Sequence, residues 1–501
     1  MRITFVRPNL HAGRSADAMQ PLAFAVLAAA TPRDVECVLH DERLAPVPLD
    51  EPTDLVAMTV ETYTARRAYQ LATAYRRRGV PVVMGGYHPT FLPDECAHFA
   101  DALVLGDAEA LWPRVVADAR RGQLRPIYRQ AGFPSLTGRP LPDRTLFQGK
   151  RYAPVTLVQY GRGCRFACDF CSIHAFYGRS LRQRAIADVV ADIERGGHRL
   201  VFFVDDNLFV DVARARALFE AIAPLGIRWT CQASLDIARD RALVRLMARS
   251  GCVSVLFGFE SLDVRNLVQM KKGWNVRWQD YETAIGVVQD AGLMIYGTFV
   301  HGYDGDTPQS FDDTVDFAIR HRFFLANFNP LTPTPRAPLY DRLAAEGRLL
   351  YDRWWLDERF RYGAATFVPK GMTPDELTAG CWRARQAFNT AASIAHRFVT
   401  PTTLLHPWQA AQFLLGNLIS RREIRAKQGV ALGGPEPLDL PRDLGAVPTA
   451  RGWRDGDGAG ADAGGDAPSG AHADAGPNEP LGAEADADAA ALTPSGAGGG
   501  A

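Results

Sequence analysis

The chain has 501 residues, with 56 Lys and Arg against 56 Asp and Glu, so its formal net charge is zero. At 47% hydrophobic, 10% aromatic and 22% charged residues it has the balance of a globular protein too long for one ordinary domain. Global charge gives no basis for a nucleic-acid or anionic-membrane partner, and no uncharged apolar stretch of about 18 residues offers a membrane span.

The start, Met1-Arg2-Ile3-Thr4-Phe5-Val6, reads as a strand rather than the apolar core of a signal peptide, so a cytoplasmic location is expected. A helical pattern covers Leu22 to Ala30. Strands follow at Val35 to His40 and Leu55 to Val60, then a helix through Arg66 to Arg78, whose basic run Arg76-Arg77-Arg78 reads as a solvated face. Pro81 to Met84 is a strand closed by Gly85-Gly86, and Ala102 to Leu105 is a strand closed by Gly106-Asp107. A helix around Leu111 to Ala119 completes the series. Such alternation over residues 1–130 predicts a parallel sheet wrapped by helices, a Rossmann-like α/β unit that binds ligands at the carboxyl ends of its strands. Gly85 and Gly86 sit at such an end, where the backbone turns sharply or approaches a ligand closely.

Residues 131–150, with Pro134, Pro140 and Pro142, read as a linker. A second alternation occupies 151–335. Its strands are Val155 to Gln159, Leu200 to Val204, Arg228 to Gln232, Val253 to Gly258, Met294 to Val300 and Phe324 to Asn329. Helices are expected at Ala185 to Glu194, Ala213 to Ala223, Asp240 to Ser250, Trp278 to Ala291 and Asp312 to His321. This series matches a partial (β/α)6 barrel better than a doubly wound sheet. Residues 336–431 predict a helical C-terminal extension, with aromatic clusters at Trp354-Trp355 and Phe360 to Tyr362. Residues 432–501 are dominated by Gly, Ala, Asp and Pro, and are expected to be a disordered tail because they bury too little apolar surface to offset chain entropy.

Five of the eight cysteines, 37, 96, 231, 252 and 381, stand singly among apolar neighbours and read as buried small hydrophobes. The other three share one loop, Gly161-Arg162-Gly163-Cys164-Arg165-Phe166-Ala167-Cys168-Asp169-Phe170-Cys171-Ser172, with spacing C-x3-C-x2-C. Three thiolates so spaced can reach three corners of a cubane iron–sulfur cluster, leaving one iron open. Zinc with His174 as fourth ligand is the alternative, in a crowded loop.

Cys164-x3-Cys168-x-Phe170-Cys171 resembles the signature loop of the radical SAM superfamily, including the aromatic before the last cysteine. The resemblance implies a [4Fe-4S] cluster on Cys164, Cys168 and Cys171, S-adenosylmethionine (SAM) chelating the open iron, and reductive SAM cleavage. It also implies a reductase such as flavodoxin or ferredoxin as electron donor. The SAM-facing positions it implies lie at strand ends: Asp205 or Asp206, Gln232, Ser234, Glu260, and the segments Gly297 to Gly302 and Asn329 to Pro333. Asp206 reads equally well as a helix N-cap, and His301 as a structural histidine.

Residues 1–130 are similar to the cobalamin-binding domain of one subgroup of that superfamily, through Val83 to Thr90 and Gly106-Asp107-Ala108-Glu109. The resemblance implies that Gly85 and Gly86 face cobalamin. His88 reads either as a corrin neighbour or as a turn residue. The Asp-x-His-x-x-Gly loop that supplies a cobalt ligand in many such domains is missing, and His40-Asp41-Glu42 lacks its spacing. The function implied is a cobalamin-dependent methyltransferase acting on a small molecule in secondary metabolism or lipid modification. The alternatives are a cobalamin-independent radical SAM enzyme, making carbon–carbon bonds or rings or transferring aminocarboxypropyl, and a non-enzymatic metal-binding protein.

Overall fold

Six segments rich in β-branched and large apolar residues form the first sheet: β1 (Arg2–Arg7), β2 (Glu36–Asp41), β3 (Leu55–Thr59), β4 (Val82–Gly85), β5 (Ala102–Leu105) and β6 (Ile127–Arg129). The computed structural model describes residues 1–449 apart from 12, 131 and 273–280. All six strands are parallel, in the order β2-β1-β3-β4-β5-β6. Helices cover both faces, so the central strands read as unbroken apolar runs: Ile3, Phe5, Val6, Leu55, Val56 and Val82 are fully buried. Strand order reverses between β1 and β3, which opens a crevice at their carboxyl ends.

The second sheet starts with β7 (Thr156–Val158). A short antiparallel pair, β8 (Gly161–Arg162) and β9 (Arg182–Gln183), then brackets the cysteine loop. The remaining strands are β10 (Leu200–Phe203), β11 (Arg228–Ala233), β12 (Cys252–Glu260), β13 (Met294–His301) and β14 (Leu325–Pro330). Their order, β7-β10-β11-β12-β13-β14, follows the chain, and every pairing is parallel. Each right-handed crossover therefore steps the same way and lays its helix on the same face, which makes an open, partial barrel rather than a doubly wound sheet. Aromatic rings fill it. Phe299 stacks between Phe259 at 5.6 Å and Phe328 at 5.4 Å. The buried Trp229 lies on Phe219 at 4.9 Å and donates its indole N–H to the Ser250 carbonyl at 3.0 Å. Of the helix expected at Trp278 to Ala291, Tyr281–Asp290 is present, and 278–280 lie outside the described residues.

The extension is helical at Pro374–Phe388, Ala391–Phe398 and Pro407–Lys427. Arg397 pins it to the barrel. All five of its N–H groups are used: on Ser393 Oγ, on the carbonyls of Phe323, Phe324 and Phe388, and on Asn417 Oδ1. Burial alone pulls its guanidinium down to about 9, and the carbonyl dipoles together with the Phe388 ring face, 3.7 Å away, stand in for a counter-ion. Of the stretch expected to be a tail, residues 432–449 are described and include ordered contacts. Leu432 is buried, Gly434 exchanges hydrogen bonds with the Gln70 side chain, and Glu436 pairs with Arg67. Residues 450–501 lie outside the described residues. Among the described residues no helix is long and apolar enough to cross a membrane.

Replacing Arg397 by Met keeps the bulk but strands five buried acceptors. The expected loss is about 3 kcal/mol of unfolding free energy, measured by urea denaturation; a loss below about 1 kcal/mol would mean that the extension is not anchored this way.

Candidate functional site

Backbone hydrogen bonds to two adjacent carboxylates fix the approach to the first cysteine. Asp205 and Asp206 follow the carboxyl end of β10. Asp205 accepts the amides of Tyr160, at 2.9 Å, and Gly161. Asp206 accepts the amide of Gly163 at 3.0 Å. Gly163 has φ +93°, and a Cβ there would lie 2.0 Å from the Ser180 carbonyl, so only glycine fits immediately before Cys164. Burial raises the Asp205 carboxyl to about 7 against the pull of its two amide donors, with neighbouring Asp206 adding to the rise. Asp206 is not the cap of the next helix, Val212–Ile222; Asp211 fills that position, accepting the Arg214 amide at 3.0 Å.

The loop's far end is braced from the barrel mouth and the extension. The Asp169 amide donates to the Met270 carbonyl at 3.0 Å, and its carbonyl accepts the Leu339 amide at 3.0 Å. Its carboxylate accepts the Tyr303 hydroxyl at 2.5 Å and lies 3.5 Å from Arg342. Held between these ends, Cys164, Cys168 and Cys171 are free and half-buried. Burial pushes the Cys168 thiol to about 12 despite the charge of Lys272, and the Cys171 thiol to about 11 despite the amides of His174 and Ile173. Burial also raises Cys164, which hydrogen-bonds the Asn207 side chain. Cys168 feels both Cys171 and Cys164 electrostatically, and Cys171 feels Cys164, so the three share one environment. Among the described residues no three His, Cys, Asp or Glu side chains are gathered to hold a single metal ion, His174 included. A cubane asks for less, because its thiolates sit on different irons. Three soft sulfur donors, unpaired in disulfides and buried enough to need a cation to ionise, suit such a cluster.

Of the other expected positions, Glu260 and Ser234 connect to this loop. Glu260 ends β12 at φ +63°, beside a register shift at Gly258, and pairs with Lys272 at 2.8 Å. A non-glycine residue held there is strained. Gln232 is half-buried on β11, and its carbonyl accepts the Leu208 amide at 3.4 Å. Ser234 Oγ accepts from Asn207 at 3.3 Å, so Asn207 links Ser234 to Cys164. His301 is a neutral core histidine: burial, with Arg385 assisting, lowers it to about 3, and its ring packs on Phe311 at 4.7 Å. His88 is also buried, bonded to Tyr69 at 3.0 Å and Glu95 at 3.1 Å.

At the carboxyl edge of the first sheet lies a cleft of about 1580 Å³, its open mouth included. Met58, Thr59, Gly85, Gly86 and Tyr87 line it on one side, and Gln159, Arg162, Phe176 and Tyr177 of the cysteine-loop region on the other. Gly86 has φ +105°, and a Cβ there would lie 2.9 Å from the Val60 carbonyl. No histidine is among the described residues lining the cleft.

Sequence reasoning missed the group that joins the two walls. Arg162 Nη1 lies 2.8 Å from Asp107 Oδ1, and its other terminal nitrogen pairs with Glu109. Arg182 also pairs with Asp107, and Arg139 lies 2.9 Å from Glu109. Burial would raise the Glu109 carboxyl, but Arg162 and Arg139 hold it at about 2. The signal available in the sequence was an arginine two residues before Cys164 and the acidic pair after Gly106.

A (β/α)6-type barrel with three cysteines in the loop after its first strand defines a class of iron–sulfur enzymes. The sequence profile of the radical SAM superfamily matches residues 158–318. The bacteriochlorophyllide d C-12(1)-methyltransferase of Chlorobaculum tepidum is 30% identical over 369 residues, covering 71% of this chain and 80% of that protein. The anaerobic magnesium-protoporphyrin IX monomethyl ester cyclase of Cereibacter sphaeroides is 25% identical over 86% of this chain and 76% of its own. The fold matches that of the radical SAM methyltransferase TsrM from Kitasatospora setae, solved with cobalamin and a [4Fe-4S] cluster, with TM-score 0.61 and 17% identity over 85% of this chain and 99% of that one. The chain belongs to the radical SAM superfamily. It is an enzyme of the kind that uses a [4Fe-4S] cluster to cleave SAM.

Because the folded state depresses the Glu109 carboxyl to about 2 from an ordinary 4.5, its ion pairs stabilise fully above about pH 4.5, and that contribution is lost as pH falls toward 2. Glu109→Gln is expected to cost about 3 kcal/mol at pH 7 and to flatten the acid limb of stability against pH. Denaturation from pH 7 to pH 3 checks this; an unchanged acid limb would show that Glu109 is not in the joint.

Proposed function

We propose that the protein is a cobalamin-dependent radical SAM methyltransferase acting on a small molecule, with Cys164, Cys168 and Cys171 as the cluster ligands. In this reading residues 1–130 are the corrin-binding domain, 131–150 a linker, 151–335 the cluster-bearing barrel and 336–431 its helical cap. The observation that carries it is the cleft at the carboxyl edge of the first sheet, whose opposite wall begins at Arg162, beside the cysteine loop. When bound, the cluster supplies one-electron cleavage of SAM and the corrin a carrier for a methyl group. The chain's own part is positional. Asp205, Asp206 and Asp169 hold the loop backbone, and Arg162 with Asp107 and Glu109 holds the two walls of the cleft together. Met58, Tyr87, Phe176 and Tyr177 keep the cleft apolar, so water competes poorly there. Gly85 and Gly86 let backbone, rather than side chains, face the corrin. Glu260, Gln232 and Ser234 ring the SAM end. The electron comes from an external reductase of the flavodoxin or ferredoxin kind.

A second reading is ring formation without a corrin: the cyclase relative supports ring formation, and the histidine-free lining of the cleft the missing corrin. Products separate the two: 5′-deoxyadenosine with S-adenosylhomocysteine for methyl transfer, 5′-deoxyadenosine alone for the second. After anaerobic reconstitution with iron, sulfide and hydroxocobalamin, the full chain is expected to carry both the broad iron–sulfur shoulder and corrin bands. Cys168→Ala is expected to keep the corrin bands and the fold but lose the shoulder and SAM cleavage. Retention of a full cluster by that variant would remove Cys168 from the ligand set, and a native protein that takes up no corrin would leave the second reading.

A further inference from the structure

Every buried arginine described so far has its charge answered. Arg67 and Arg162 meet carboxylates, and Arg397 spends all five N–H groups on carbonyl, hydroxyl and amide oxygens. Arg385, on the helix Pro374–Phe388, differs. It is 6% exposed. Its Nε donates to the Phe328 carbonyl at 2.8 Å, Nη1 to Gln428 Oε1 at 2.7 Å and Nη2 to Asn329 Oδ1 at 2.9 Å. All three partners are neutral, and no carboxylate among the described residues forms an ion pair with it. A guanidinium carries five N–H groups and stays charged at any physiological pH. One N–H on each terminal nitrogen is therefore without a partner among the described residues, and a buried charge without a counter-ion is costly unless something supplies one.

That arginine lines a cavity of about 730 Å³, its open mouth included, at the carboxyl ends of β13 and β14. Val300 and Asn329 form its floor, and three rings wall it: Tyr63 from the first sheet's side, Tyr362 from the extension, and Phe170, the residue before Cys171. Tyr63 and Tyr362 meet edge-on at 5.6 Å, and the Tyr63 hydroxyl is tied to Thr332 at 3.1 Å, so the rings are fixed rather than loose. A cavity of this kind offers a flat apolar body a place against aromatic faces, and the guanidinium in its lining offers an anion charge-assisted hydrogen bonds.

We propose that Arg385 anchors a carboxylate of the substrate, and that the substrate is a flat, apolar molecule bearing such a group. This rests on the barrel mouth being the reaction site, and it makes Arg385 a binding residue that sets how far the substrate reaches toward the cysteine loop. Asn329 and Gln428 orient the guanidinium and take no part in recognition by charge. The methionyl carboxylate of SAM shares the same chemistry, so the test separates the two sources.

The full chain, reconstituted without oxygen with iron and sulfide, is titrated calorimetrically with indole-3-propionate, with its carboxamide, and separately with SAM. The native protein is expected to prefer the carboxylate by about tenfold, the worth of one desolvated charge-assisted pair. Arg385→Gln is expected to bind both probes alike, with its SAM affinity and cluster absorbance unchanged. No preference in the native protein, or an undiminished preference in the variant, overturns the proposal. So does a tenfold fall in SAM affinity with the probe preference intact, since the anion would then be the methionyl carboxylate. If Arg385→Gln does not fold, Arg385→Lys, which keeps the charge but loses the fork, is expected to lose most of the preference; full preference in the lysine variant overturns it equally. Cluster formation and SAM cleavage are read in the same samples, so failure of the barrel-mouth reading itself is seen separately.

Discussion

The buried ion cluster of Arg162 with Asp107 and Glu109 is the constraint on which the rest depends. It ties a loop at the carboxyl edge of the first sheet to the strand that enters the cysteine loop. It reinforces an apolar seam between the two α/β layers, where Phe176 packs edge-on against Tyr87 at 4.6 Å. With it, an apolar cleft and a thiol-bearing loop share a wall. Burying this much charge is expensive, and it is tolerated because each carboxylate meets two guanidinium groups: Asp107 those of Arg162 and Arg182, Glu109 those of Arg162 and Arg139. Removing one member leaves the others uncompensated, so such a joint is rigid or absent, with little in between.

The cysteine loop itself is held by backbone hydrogen bonding. Asp205 and Asp206 take three amides between Tyr160 and Gly163, and Asp169 is gripped through its amide, carbonyl and carboxylate. The thiols carry little of that load: of side chains, Cys164 bonds Asn207. Burial raises all three thiols, and a bound cation would favour their thiolates, which suits cluster ligands.

Much of this was legible in the sequence. The parallel strands are buried on both faces, so their apolar runs stood out, and all six strands of the second sheet lie where the alternation placed them. The cysteine spacing was readable because it answers a local requirement; the need for glycine at 163 was not, since the clash it avoids is with the Ser180 carbonyl. β6 was not, since three residues carry no period. Asp205 and Asp206 were read as cofactor contacts, but what they do to the Tyr160–Gly163 backbone depends on a pairing across more than 40 residues. Arg162 and Arg385 were missed for the same reason: what marks each one is the presence or absence of a distant partner, and only the fold reveals that. Gly434 and Glu436 sit in a stretch of tail-like composition and find their partners on the helix Ala65–Arg77.

The central claim is that the cleft and the cysteine loop face one another across one rigid joint. Electron paramagnetic resonance on the full chain, loaded with cobalamin in its cobalt(II) state and with the cluster reduced, tests it most directly. Dipolar broadening of both signals is expected, and it should weaken when Glu109→Gln loosens the joint. Two sharp, independent signals in the native protein would contradict it.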